Sequence, residues 1–265
     1  MAESRHVLRH PWLPARAIAA TVTPLLAMAL SLGQGAAAAS TPPLPLPDPA
    51  GQRRLMRASA SMDHGPLAQW LETQANLAYC GVASAVMVLN SLAVPAPPAA
   101  GYGSHRFWTQ SNVFSIPGSR GFVRPDVVER EGMTLAQLHG WLAGAPGLVV
   151  ERFHGDQLSL AQWRTLLRRS LRDPHDRLLV NYLRTALGQQ GGGHISPLAA
   201  YDASSDSVLL LDVARYRYPA VWVGVADLWR AMRAVDTSAG RSRGLLLIRR
   251  ASPPPQPPAS VRSAR

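Results

Sequence analysis

The chain has 265 residues, 47% of them apolar, and a formal charge of +11 carried without a single lysine. That apolar share excludes a disordered polyelectrolyte and supports one good-sized domain with tails. The charge does not make a nucleic-acid binder, because several arginines (Arg5, Arg9, Arg16, Arg262, Arg265) lie near the two ends and no compact arginine-plus-aromatic patch is visible.

Arg5, Arg9 and Arg16 precede an apolar run at residues 17–32, and small residues follow at 36–40. This is the three-part layout of a secretory signal peptide, with cleavage expected near Ala39 and a mature start near Ser40. Pro24 and Gln34 interrupt the run and weaken a membrane-spanning reading, though an uncleaved anchor stays open. The chain therefore divides into a signal peptide (1–39), a proline-rich and basic linker (40–60), a folded domain (61–250) and a disordered proline-rich tail (251–265). The expected location is outside the cytoplasm, periplasmic or secreted and bacterial.

From Gly81 onward Val82, Val86 and Leu89 recur at helical spacing, and Pro95 ends the helix. Residues 94–125 are loop-rich. Thr134 caps a helix over 135–142. Ser159 caps a longer one with Leu160, Trp163, Leu166, Leu167 and Leu171 on its apolar face and Arg164, Arg168 and Arg172 on a solvated one. Strands follow at 177–183, 194–201 and 207–213, the last two joined as a hairpin through residues 202–206. A short helix around 225–235 leads to a final strand at 244–248. Helices first and antiparallel strands after make an α+β fold.

Cys80 is the only cysteine. Exported proteins use cysteines in pairs, so a single one reads as a reactive thiol or an intermolecular bridge, against the plain alternative of a small buried core residue. Its place at a helix start, beside unpaired N–H groups and the positive end of the dipole, favours a thiolate. Gln74, six residues upstream, is placed to share an oxyanion hole with the backbone N–H of Cys80.

A nucleophile needs a base. His194 follows three glycines, so backbone beside it can be approached closely, and Asp212 ends the apolar run 208–211, where a charge wants a partner. Alone, His194 reads as a turn histidine bonded to backbone, and Asp212 as a cap toward Ala214. They are 18 apart, so a hairpin loop with an odd residue count, such as the five at 202–206, places both on one face; an even loop separates them. A helix-start Cys, a glycine-flanked His and a strand-end Asp together point to thiol catalysis.

The block from Gln74 through Cys80-Gly81-Val82-Ala83-Ser84 to Asn90 resembles the nucleophile segment of phytochelatin synthases. So do Gly193-His194-Ile195-Ser196-Pro197, Leu211-Asp212-Val213-Ala214-Arg215-Tyr216 and Tyr218-Pro219-Ala220-Val221-Trp222-Val223. The resemblance covers roughly residues 65–250. It implies a papain-like fold, its helical part packed on a C-terminal antiparallel sheet, with a Cys80–His194–Asp212 triad and Gln74 as oxyanion donor. The third member departs from papain itself, which has Asn.

The resemblance further implies that Cys80 attacks the Cys–Gly bond of glutathione, releases glycine and passes the γ-glutamylcysteinyl group to water or a second glutathione. Arg184 and Arg243 fall where the family has substrate-binding arginines, with Gly193 and Tyr216 beside the site; each arginine also reads as an ordinary charge. The family's eukaryotic members carry a cysteine-rich C-terminal extension linked to metal sensing, and the proline-rich end here resembles short bacterial members in which hydrolysis tends to outweigh polymerisation. The implied partners are glutathione and its heavy-metal thiolates (cadmium, zinc), with no obligatory cofactor, no protein metal site, no nucleic acid, no stable membrane insertion after cleavage, and a homodimer left open. Two competitors are another papain-like enzyme, such as a leader-peptide-cleaving peptidase, and a non-catalytic metal-thiolate binder. The Asp-Val-Ala-Arg-Tyr block opposes the first, and a single cysteine without ligand spacing opposes the second.

Overall fold

The structure is a computed structural model and describes residues 42–117 and 121–251. The expected signal peptide and nearly all of the expected tail lie outside the described residues. In chain order the elements are β1 (Leu44–Pro45), α1 (Pro49–Met56), α2 (His64–Gln69), α3 (Cys80–Ser91), α4 (Pro125–Glu131), α5 (Leu135–Ala143), β2 (Leu148–His154) and α6 (Leu160–Ser170). Then come β3 (Asp176–Leu183), β4 (Gly193–Asp202), β5 (Ser207–Leu210), β6 (Val221–Gly224), α7 (Val225–Arg233), β7 (Val235–Asp236), β8 (Arg241–Ser242) and β9 (Gly244–Arg250).

Among the described residues, seven strands form one antiparallel sheet in the order β1-β6-β5-β4-β3-β9-β2, an α+β fold as expected. Both faces of its centre are covered. Leu179 and Leu246 pack with Val86, Leu89, Trp141 and Leu142 on the α3 and α5 side. Their neighbours Leu178, Val180, Leu245 and Leu247 pack with Trp163, Leu167, Leu228 and Met232 on the α6 and α7 side. Burial on both faces is why the central strands read as continuous apolar runs instead of alternating ones.

α3 is buried on every side from Gly81 to Asn90, so no polar stripe marks it. Its buried Asn90 is satisfied by exchanging two hydrogen bonds with the backbone of Trp108, at 2.8 and 2.9 Å. α5 and α6 begin with reciprocal capping boxes, Thr134 with Gln137 and Ser159 with Gln162, which fixes both starts where the sequence places them.

The segment 40–60 is not a linker over its described part. Leu44 and Pro45 pair with Trp222 and Val221 as an edge strand, and Pro49 opens α1. Trp222 Nε1 donates to Gly51 O at 3.1 Å, and Arg54 reaches Ser207 Oγ at 3.0 Å. Proline is tolerated on a sheet edge and in a first helical turn, so a proline-rich composition conceals both elements.

The hairpin also differs from expectation. Asp202 pairs with Ser207, leaving a four-residue turn, the even count that would separate His194 from Asp212. A bulge at Ala199 corrects it: Ala200 pairs with Leu209, but Leu198 pairs with Leu210. The one-residue shift moves the remaining strand into the opposite parity and returns both side chains to one face. β5 itself ends at Leu210, not at residue 213.

Candidate active site

Cys80 is the first residue of α3, and no side chain caps that helix start. The helix is tied to the sheet by Ser84 Oγ, which donates to Ile195 O at 3.1 Å, one residue from His194. A Cβ on Gly81 would stand 2.7 Å from Met133 Sδ, so glycine is what lets Met133 close over the first turn. The half-buried thiol hydrogen bonds to the His194 ring.

His194 sits in β4 opposite Tyr182 of β3, whose ring meets the imidazole edge-on at 5.7 Å. His194 Nε2 lies 2.9 Å from Asp212 Oδ1. The approach is oblique to the N–H direction, an ion-pair contact more than a straight hydrogen bond. With Nε2 turned toward the carboxylate, Nδ1 is the nitrogen left for the thiol. The structure thus brings together Cys80, His194 and Asp212. It also joins two readings of Asp212, since Oδ1 accepts from Ala214 N at 2.8 Å as a local cap while facing the histidine.

The electrostatics suit a thiolate–imidazolium pair. Burial pushes the Cys80 thiol up, but the hydrogen bond and charge of His194, with the backbone N–H groups of Ile195 and Gly81, bring it below its ordinary value. Burial pushes His194 down, while its contacts with the Asp212 carboxylate and the Cys80 thiol bring it net upward. Burial likewise opposes Asp212, yet His194 and Arg184 hold its carboxyl down at about 2. Depressed thiol and raised imidazole are the signature of an activated cysteine.

Arg184 stands differently from the substrate fork that resemblance implied. It is buried, and its guanidinium grips Asp212 at 2.8 and 2.9 Å and Gln189 Oε1 at 2.7 Å. The Tyr218 ring lies under it at 4.9 Å, and Tyr218 Oη accepts from Gln190 N at 2.7 Å. Arg184 therefore ties the glycine-rich loop before His194 to the acid that orients His194. Sequence reasoning did not foresee this role. Tyr182, also unforeseen, is buried beneath the triad, and its hydroxyl has no hydrogen-bond partner among the described residues.

Arg243 is paired as well, donating to Asn181 Oδ1 at 3.0 Å and to Asp236 Oδ2 at 3.3 Å. Its Nη1 would lie 2.1 Å from a Cβ on Gly193, so glycine there makes room for the guanidinium beside His194. Gln74 is buried, and its backbone N–H donates to Val213 O at 3.0 Å, placing it against the residue after Asp212. Its Nε2 contacts Asn76 O at 2.7 Å and Tyr216 Oη at 3.2 Å. The structure thus gathers Cys80, His194, Asp212, Arg184, Gly193 and Arg243 around the start of α3 and the ends of β3, β4, β5 and β9, and sets Gln74 and Tyr216 against each other, with Gln74 bonded to Val213 beside Asp212.

No group of three or more His, Cys, Asp or Glu able to hold a metal occurs among the described residues. A cavity of about 730 Å³ lies between Phe122, α5 and Arg152 and shares no lining residue with the triad. The geometry of nucleophile, base and orienting acid therefore defines the site.

The family model for phytochelatin synthase matches residues 42–245. Glutathione gamma-glutamylcysteinyltransferase 1 of Lotus japonicus is 35% identical over 184 residues, 69% of this chain and 35% of that protein. Glutathione gamma-glutamylcysteinyltransferase 2 of Arabidopsis thaliana is 34% identical over 184 residues, 69% of this chain and 39% of the relative. The glutathione gamma-glutamylcysteinyltransferase of Schizosaccharomyces pombe is 29% identical over 195 residues, 74% of this chain and 45% of its own. The matched region thus spans less than half the length of these relatives.

Proposed function

Because the chain belongs to the phytochelatin synthase family, we propose that it is a thiol acyltransferase acting on glutathione through Cys80. The observation that carries the reading is the His194 ring held between the Cys80 thiol and the Asp212 carboxylate.

The Cys80 thiolate attacks the carbonyl carbon between cysteine and glycine of glutathione. The carbonyl π pair moves onto oxygen, and the oxyanion is met by donors at the start of α3. Collapse breaks the C–N bond. The imidazolium of His194 gives its proton to the departing glycine amine, leaving a γ-glutamylcysteinyl thioester on Cys80. Water or the amine of a second glutathione then attacks the thioester, His194 takes its proton, and the thiolate is released. Asp212 keeps the imidazole oriented and stabilises its positive charge throughout.

The reaction as proposed takes no obligatory cofactor. Heavy-metal ions such as cadmium and zinc enter as glutathione thiolates, on the substrate side or as activators. The Arg–apolar–Ala layout of the first 39 residues supports an exported protein. N-terminal sequencing of exported material is expected to begin near Ser40, and retention of Met1 with the whole apolar run would refute cleavage.

The deciding experiment is intact mass after brief exposure to glutathione, with and without cadmium, alongside measured glycine release. The expected result is a γ-glutamylcysteinyl adduct on the wild type and none on Cys80→Ser. Undiminished glycine release by Cys80→Ser would end the reading.

A further inference from the structure

Gln110 makes three hydrogen bonds with the segment that carries Gln74. Its Oε1 accepts from Ala75 N at 2.9 Å, and its Nε2 donates to Thr73 O at 2.8 Å and to Glu72 Oε2 at 2.9 Å. A backbone N–H on one side, and a carbonyl with a carboxylate on the other, admit one orientation of this amide, and both Nε2 hydrogens are spent. The side chain thus pairs with the backbone immediately before and after Gln74, much as a neighbouring strand would. Gln74 N itself donates to Val213 O at 3.0 Å, so the backbone is held at Thr73, Gln74 and Ala75 in turn.

The other end of this clamp is fixed to the helix of the nucleophile. Trp108 exchanges two hydrogen bonds with Asn90 of α3, and its Nε1 donates to Val94 O at 3.1 Å. Asn112 closes the turn around Gln110, accepting from Thr109 N at 2.8 Å and donating to Phe107 O at 3.1 Å. α3 begins at Cys80 and is buried from Gly81 to Asn90. A packed path therefore runs from Cys80 along α3, through Asn90 and Trp108, to Gln110 and back to Gln74. Along the chain itself, Gln74 reaches Cys80 only through the irregular residues 75–79.

We propose that Gln110 is a positioning residue of the oxyanion hole, acting through Gln74. This deepens the acyl-transfer reading and rests on it, with Gln74 as the side-chain donor beside the Cys80 N–H. A preorganised donor works only if it is in place before charge develops, and a displacement of an ångström costs about a hundredfold. The partners of Gln110 all lie within residues 72–75, and none belongs to the triad.

The test separates oxyanion stabilisation from thiolate reactivity. Acylation of Cys80 by 4-nitrophenyl acetate passes through an oxyanion, whereas alkylation by iodoacetamide does not. Gln110→Met keeps the length of the side chain and removes all three hydrogen bonds; Gln110→Glu keeps the acceptor for Ala75 N and loses the donors. Both are expected to slow ester acylation about tenfold to a hundredfold, with alkylation unchanged. Gln74→Ala is expected to slow acylation about a hundredfold, and adding Gln110→Met to it should cost nothing further, because the two act in series. Acylation at the wild-type rate by both Gln110 variants would overturn the proposal. So would a parallel fall in alkylation, an undiminished further loss in the double variant, or full acylation by Gln74→Ala. The ester does not draw on glutathione recognition, so a wild type that is acetylated but releases no glycine from glutathione would strike the substrate reading alone.

Discussion

Arg184 holds Asp212 with both arms of its guanidinium, at 2.8 and 2.9 Å, and both side chains are almost wholly buried. A bidentate, desolvated pair of this kind costs much to break from one side and little to replace whole. Arg184→Met should therefore destabilise the fold by about 3–5 kcal/mol, since it strands a buried carboxylate. Adding Asp212→Asn should recover part of that loss. A denaturant double-mutant cycle measures it, and simple additivity would show that the two side chains are not energetically coupled.

Asp212 also sets an acid limit on stability. Its carboxyl is held at about 2, below its ordinary 3.8. A lowered carboxylate contributes stability that is present above its unfolded value and lost as pH falls through the folded one. The contribution here is on the order of 2 kcal/mol and should vanish between about pH 4 and 2. Asp63 and Asp176, raised by burial to about 8 and about 6, act with the opposite sign and gain on acidification. Subtracting the pH–stability curve of Asp212→Asn from the wild type isolates the Asp212 share. A difference that stays constant through that window would contradict the assignment.

The triad was legible because each member broke a local rule: a lone cysteine in a chain whose first residues read as a signal peptide, a histidine after three glycines, and a charge ending an apolar run. The capping boxes of α5 and α6 were legible for a similar reason, since Thr134 and Ser159 each stand three residues before a glutamine. The bulge at Ala199 was not legible. Alanine is compatible with either register, and pairing alone decides which one forms. Parity counting consequently reached the right face for His194 and Asp212 from the wrong loop length. Arg184 was recognisable only as a charge or a substrate-binding arginine, because its partner Asp212 lies 28 residues further along the chain and no local pattern announces the pairing.

The proline-rich segment makes a further prediction. Leu44, Leu46 and Leu55 pack on the core, and β1 covers the edge of β6. A chain beginning at residue 61 would expose that apolar surface and an unpaired strand edge, the usual route to aggregation. It should melt well below the chain beginning at residue 40, or fail to remain in solution. Equal melting temperatures would mean that the segment only rests on the domain.

The final prediction concerns the pairing of Cys80 with His194. Burial alone would keep the thiol protonated, so its lowered value depends on the hydrogen bond and charge that His194 supplies. The wild type should alkylate with iodoacetamide at an appreciable rate well below the pH at which an ordinary thiol ionises. His194→Ala removes the largest opposing influence and leaves burial against only the backbone N–H groups of Ile195 and Gly81, so its alkylation profile should move to higher pH. Asp212→Asn should shift the profile less, because the thiol keeps its histidine partner, while acylation falls through a misoriented imidazole. Cys80→Ser should neither alkylate nor acylate, since its hydroxyl is far harder to ionise. Rates measured across the pH range, with circular dichroism to verify each fold, separate these effects. An unmoved profile in His194→Ala would assign the thiolate to the helix start and leave His194 only the proton transfer to the departing amine.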